Sequence, residues 1–180
     1  MQPSKLPSTF LAAAALVAAA CTTTPTVTAP EVPAALRPPA GQAVFLEALA
    51  TGVQIYECAP KSDQSAFEWA FRAPEAKLMD RAGKTIGQHY GGPTWESNDG
   101  SKVVGEVKAR DPGPNPAAIP WLLLSAKSTS GNGVFTPTTS IQRVQTTGGL
   151  APRLPCDAAS VKQMARVLYT ATYYFYRAAQ

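Results

Sequence analysis

Five side chains able to do chemistry fall close together near the middle of the chain: His89, Tyr90, Trp95, Glu96 and Asp99. His89 is the only histidine. An imidazole beside a carboxylate can pass a proton, so His89 with Glu96 is a candidate acid–base pair. Trp95 offers a flat face for stacking, while His89 and the acids would orient a ligand's polar groups. These five residues form the candidate ligand-binding site. The competing explanation is a packed turn in which His89 bonds locally and Tyr90 and Trp95 fill space. Trp95 sits beside a turn and is the tryptophan expected at the surface. Trp121 lies in an apolar run and belongs to the core. Gly91-Gly92-Pro93 serves backbone geometry, because no lysine-serine ending of a phosphate loop follows it.

Other chemistries find less support. Glu57, Glu68, Glu96 and Asp99 supply carboxylates for glycoside hydrolysis, but nothing in their spacing brings a pair together. Ser125 and Ser140 lack the GxSxG context of a serine hydrolase. One histidine and no CxxC leave too few ligands for a zinc site, and no metal or cofactor is expected. The 16 basic residues are scattered among 12 acidic ones, for a net charge of +4, with no basic run suited to nucleic acid.

The three cysteines carry chemistry of a different kind. Residues 1–20 hold one lysine, an unbroken apolar run and then Ala18-Ala19-Ala20 before Cys21. This is an export signal, and a cysteine at the cut marks a lipoprotein whose thiol takes the lipid. Ordinary cleavage to a soluble periplasmic or secreted protein is the alternative. The apolar run is shorter than the roughly 20 residues that a membrane span needs. If Cys21 is lipidated, Cys58 and Cys156 remain, and in an oxidising compartment two such cysteines pair. Two buried free thiols are the other outcome.

The elements that must position these groups are strands. Residues 22–40 are rich in Thr and Pro without apolar period, so they predict an extended tether, with a domain spanning residues 41–180. Beyond Gly41 the pattern alternates with period two. Phe67, Trp69 and Phe71 share a face, as do Val167, Tyr169, Ala171, Tyr173 and Phe175. Residues 80–84 and Asn98-Asp99-Gly100 predict tight turns. Residues 119–126 are apolar on both faces and predict a strand covered on both sides, with Pro120 at its start. At most one short helix is expected, with residues 157–165 as its place and Asp157 as its cap. Eight or nine strands in all predict an all-β domain, an antiparallel sandwich or barrel.

Several segments in order carry a family resemblance. They are Gly52-Val53-Gln54-Ile55-Tyr56-Glu57-Cys58, Trp69-Ala70-Phe71, Gly87-Gln88-His89-Tyr90-Gly91-Gly92-Pro93-Thr94-Trp95-Glu96, Ile119-Pro120-Trp121-Leu122-Leu123-Leu124, Gln142-Arg143-Val144 and Tyr173-Tyr174-Phe175-Tyr176. From about residue 41 to residue 176 the chain resembles the domain of unknown function 3455 family, which implies no activity. A dinucleotide-dependent dehydrogenase finds no support, since there is no GxGxxG after a strand and no βαβ alternation. The chain is thus expected to be an exported binding or interaction module, held at a membrane through lipid on Cys21. Its ligand would be a glycan or small molecule. A hydrolase acting on carbohydrate outside the cytoplasm is the alternative.

Overall fold

The structure is a computed structural model that describes residues 27–180. The expected signal and Cys21 lie outside the described residues. Eight antiparallel strands follow one another: β1 (Gln42–Pro60), β2 (Phe67–Met79), β3 (Thr85–Tyr90), β4 (Thr94–Ser97), β5 (Lys102–Asp111), β6 (Trp121–Ser130), β7 (Ser140–Gly148) and β8 (Met164–Ala178). Each pairs with the next, and β8 pairs back onto β1, so the sheet is a closed barrel. The closing ladder runs from Gln42 opposite Ala178 to Glu57 opposite Met164. Closure gives every strand two neighbours, but β3 and β4 are short, so residues 67–75 of β2 pair only with β1 and residues 106–111 of β5 only with β6.

Alternation decides what faces inward. Tyr169, Ala171, Tyr173 and Phe175 of β8 point into the core, whereas Leu168 points out and is 76% exposed. Ala48, Ala50 and Ala76 face the same interior. These small side chains leave room for the rings of Trp95, Tyr173 and Phe175, which meet edge to face. Gly105 has a matching role: a Cβ there would lie 2.9 Å from Trp95 and 3.0 Å from Leu124.

The two ends of the barrel differ. At one end, the loop between β6 and β7 inserts Phe135, fully buried and 4.7 Å from Phe175. Asp99, in the β4–β5 turn, holds that loop. Its carboxylate accepts from Val134 N–H at 2.8 Å and from the Ser101 hydroxyl at 2.6 Å, and that hydroxyl accepts from Phe135 N–H. At the other end the long β7–β8 connection crosses to β1 and β2. Cys156 is disulfide-bonded to Cys58, with Cα atoms 5.6 Å apart, and Trp69 Nε1 donates to the Leu154 carbonyl. No metal-binding cluster of His, Cys, Asp or Glu occurs among the described residues, and no described helix is long and apolar enough to cross a membrane.

Two local readings are settled. The one place open to a short helix, residues 157–165, forms none. The Asp157 carboxylate does accept from Ala159 and Ser160 N–H, but the turn ends there and β8 starts at Met164. The chain must leave Cys156 at the disulfide and at once pair along β1: Gln163 carbonyl accepts from Cys58 N–H, and Met164 stands opposite Glu57. Within the described residues, the Pro-rich stretch is also not free of the domain. Val27 and Val32 pack on Val144, Tyr174 and Tyr176 on the outer wall. A single 3-10 turn, Ala34–Leu36, lies against β5 and β6 and buries Leu36 completely. Gln142 Nε2 donates to the Leu36 carbonyl at 2.6 Å and receives the Tyr176 hydroxyl on its own carbonyl oxygen. β6 is therefore covered on both sides, as its two apolar faces require.

Candidate functional site

The end of the barrel away from Phe135 holds a cavity of about 520 Å³. That is within the roughly 300–1,000 Å³ of ordinary ligand pockets. Its mouth carries Phe71, 51% exposed, with the exposed Arg72 and Arg110. Its depth is lined by Gln54, His89, Trp95, Leu124, Arg143 and Tyr173. The strand period explains the set. Gln54 and Tyr56 alternate inward on β1, and Arg143 follows inward-facing Ile141 on β7.

Arg143 dominates the electrostatics. Its Nε and Nη2 donate to the Pro120 carbonyl at 3.1 and 2.8 Å. No acidic residue lines the cavity, and no carboxylate forms an ion pair with Arg143. Burial raises the pKa of Tyr56 and Tyr173, and the Arg143 charge opposes that rise. Burial also raises Tyr169, again against Arg143. The Tyr169 and Tyr173 hydroxyls lie close enough to affect each other's ionisation, yet neither makes a hydrogen bond of acceptable geometry. Gln54 Nε2 and Trp95 Nε1 are likewise buried without a partner among the described residues.

The five residues singled out in the sequence divide between two faces of the wall. His89 and Trp95 face the cavity, and their rings stack at 4.3 Å. His89 Nδ1 lies 2.8 Å from the Thr94 carbonyl, which can only accept, so the proton sits on Nδ1. Burial drives the His89 pKa down to about 3, and Arg143 pushes the same way against the Thr94 bond. Tyr90 and Glu96 lie on the outer face. The Tyr90 hydroxyl donates to Glu96 at 2.7 Å, and Lys102 pairs with the same carboxylate at 3.2 Å. Those two bonds, Tyr90's first, lower the Glu96 pKa. Asp99 belongs to the opposite end, and its pKa falls to about 2 because Ser101 and Val134 donate to it.

His89 and Glu96 are thus not an assembled acid–base pair, since neighbouring strands carry them on opposite faces. Trp95, expected at the surface, is 1% exposed. The turn beside it is real, but β4 has only four residues and its inward position is a core position. Sequence reasoning missed Gln54, Tyr56, Arg110 and Arg143 as lining residues. One signal was present: Arg143 is a lone charge on the same face of its strand as the core residue Ile141.

The model of the family described as "Protein of unknown function (DUF3455)" matches residues 39–177, and the chain belongs to that family. No curated protein and no solved structure matches the chain.

Proposed function

We propose that this member of the family is an extracytoplasmic binding protein that takes a small, largely apolar molecule into the barrel, and that lipid on Cys21 anchors it. The observation that carries the binding function is the cavity itself. It is open at one end, walled by Tyr56, Phe71, Leu122 and Trp95, and closed at the other end by Phe135. The interior of a closed eight-stranded barrel is just wide enough to be filled by side chains or to hold one small ligand, and here side chains leave a cavity at one end. The Cys58–Cys156 disulfide fits an oxidising, extracytoplasmic compartment. Binding is favoured over carbohydrate hydrolysis because the cavity lining contains no carboxylate, and glycoside hydrolysis needs two.

The test uses the neutral dye N-phenyl-1-naphthylamine, whose fluorescence rises in apolar surroundings. The mature protein should bind one dye per chain, and Val107→Trp, which fills the lining, should abolish binding without lowering the melting temperature. Absence of saturable binding, or binding untouched by V107W, refutes the barrel as the site.

A further inference from the structure

We infer that the cavity selects an anionic ligand: an apolar, preferably aromatic molecule bearing one carboxylate or similar oxyanion, held by Arg143 deep in the barrel. The inference rests on the barrel being a ligand site and specifies what that site takes. Arg143 is half-buried at the cavity wall, and a cation that has given up part of its hydration is normally paired. Arg143 spends Nε and Nη2 on one backbone carbonyl and lies beside the Tyr173 hydroxyl, neither of which carries a negative charge. All 12 acidic residues of the chain lie among the described residues, and those that form ion pairs do so with Arg72, Arg81, Lys102, Lys108 and Arg166. The fold therefore supplies the guanidinium no counter-charge.

The surrounding polar groups have the same bias. Gln54 Nε2, Trp95 Nε1 and the Tyr173 hydroxyl can each donate, each sits on a side chain at most 2% exposed, and none makes a hydrogen bond of acceptable geometry among the described residues. A carboxylate has lone pairs enough to accept from several donors at once and pairs with a guanidinium fork. Donors left unpaired in an apolar site are costly, and an oxyanion can accept from each donor that reaches it. The remaining wall is apolar and aromatic: Tyr56 and Phe71 meet edge to face at 5.7 Å near the mouth, above the stacked His89 and Trp95. The ligand's anion would sit at Arg143 and its apolar body would run toward Phe71. Neutral His89 contributes a flat face and no second charge.

The experiment compares two dyes that differ by one sulfonate. N-phenyl-1-naphthylamine is neutral, and 8-anilinonaphthalene-1-sulfonate is the same skeleton with an anion. The mature protein should bind the sulfonate roughly tenfold or more tightly. Arg143→Gln should erase that preference while neutral-dye binding persists, and Arg110→Gln should keep it. Naphthalene-2-carboxylate should displace the sulfonate dye, and naphthalene-2-carboxamide should not. That competition needs no variant, so it decides the matter even if R143Q fails to fold. Equal binding of the two dyes overturns anion selection and leaves the barrel as a ligand site. Binding of neither dye overturns both. A preference that survives R143Q and disappears in R110Q moves the anion to the mouth and overturns the assignment to Arg143.

Discussion

At neutral pH the His89 imidazole is uncharged, because protonating it would put a cation between Trp95, Tyr173 and Arg143. Its folded pKa, about 3, lies below the usual 6.5. The fold's preference for neutral His89 is therefore complete above pH 6.5 and is lost as pH falls toward 3. The slope contributed by this one group is at most about 1.4 kcal/mol per pH unit. Nitrogen-15 shifts of the ring should show a neutral, Nδ1-protonated imidazole still at pH 5; a titration near 6.5 would show the ring exposed. Asp99 acts lower on the scale. Its pKa is depressed to about 2, so its contribution is present above the usual carboxylate value of 3.8 and fades as pH falls through 2. Asp99→Asn keeps the shape but weakens the bonds to Val134 and Ser101. It should cost about 1 kcal/mol, the size of a typical hydrogen bond, read as a shift in urea midpoint at pH 7 and a smaller one at pH 2.

The strands carry constraints that single contacts do not. Gly52 stands opposite Ala76, and a Cβ there would strike the Glu75 carbonyl and the Ala76 backbone 2.5 Å away. Gly52→Ala must push β1 off β2, and overpacking of this kind costs about 1–3 kcal/mol. Circular-dichroism melts should show the loss, and a neutral result would mean that the two strands separate more easily than their ladder implies. The disulfide restrains a different element. Cys58 and Cys156 are 98 residues apart, and closing a loop of that length is worth on the order of 4–5 kcal/mol in the chain-entropy model. The C58S/C156S pair should lower stability by an amount of that order. It should also free the β7–β8 connection, seen as faster amide exchange at residues 149–163. Exchange equal to that of the parent would mean that the Trp69–Leu154 and Tyr56–Gly149 bonds hold the strap alone.

At the scale of the molecule, every strand neighbours the next, and closure depends on the one long-range pairing of first strand with last. Val27 and Val32 then pack on the outer wall over β7 and β8, and the turn Ala34–Leu36 lies against β5 and β6. A lipid anchor on Cys21 would thus leave only a few residues between membrane and barrel, not a long tether. Cys21→Ser should move the protein from the membrane fraction to the soluble one with its melting temperature unchanged. Mass spectrometry that finds Cys21 unmodified, or a mature start elsewhere, would sink the lipid anchor.

Period-two alternation determined the strands, and the turns at Gly83 and Gly100 determined where they reverse, since both signals live in neighbouring residues. The same alternation placed Tyr169, Tyr173 and Phe175 on one face. The cysteine count left Cys58 and Cys156 as a pair, and the structure joins them. Whether the sheet closed into a barrel or split into a sandwich depended on β1 meeting β8, a pairing across most of the chain that no local pattern encodes. The site was decided by the same event. A run of neighbours such as His89 to Asp99 looks like one cluster along the sequence, but a strand sends alternate side chains to opposite faces and a turn carries the rest to the far end. His89 and Trp95 therefore joined Gln54, Tyr173 and Arg143, residues distant in sequence that share only the inside of the closed barrel.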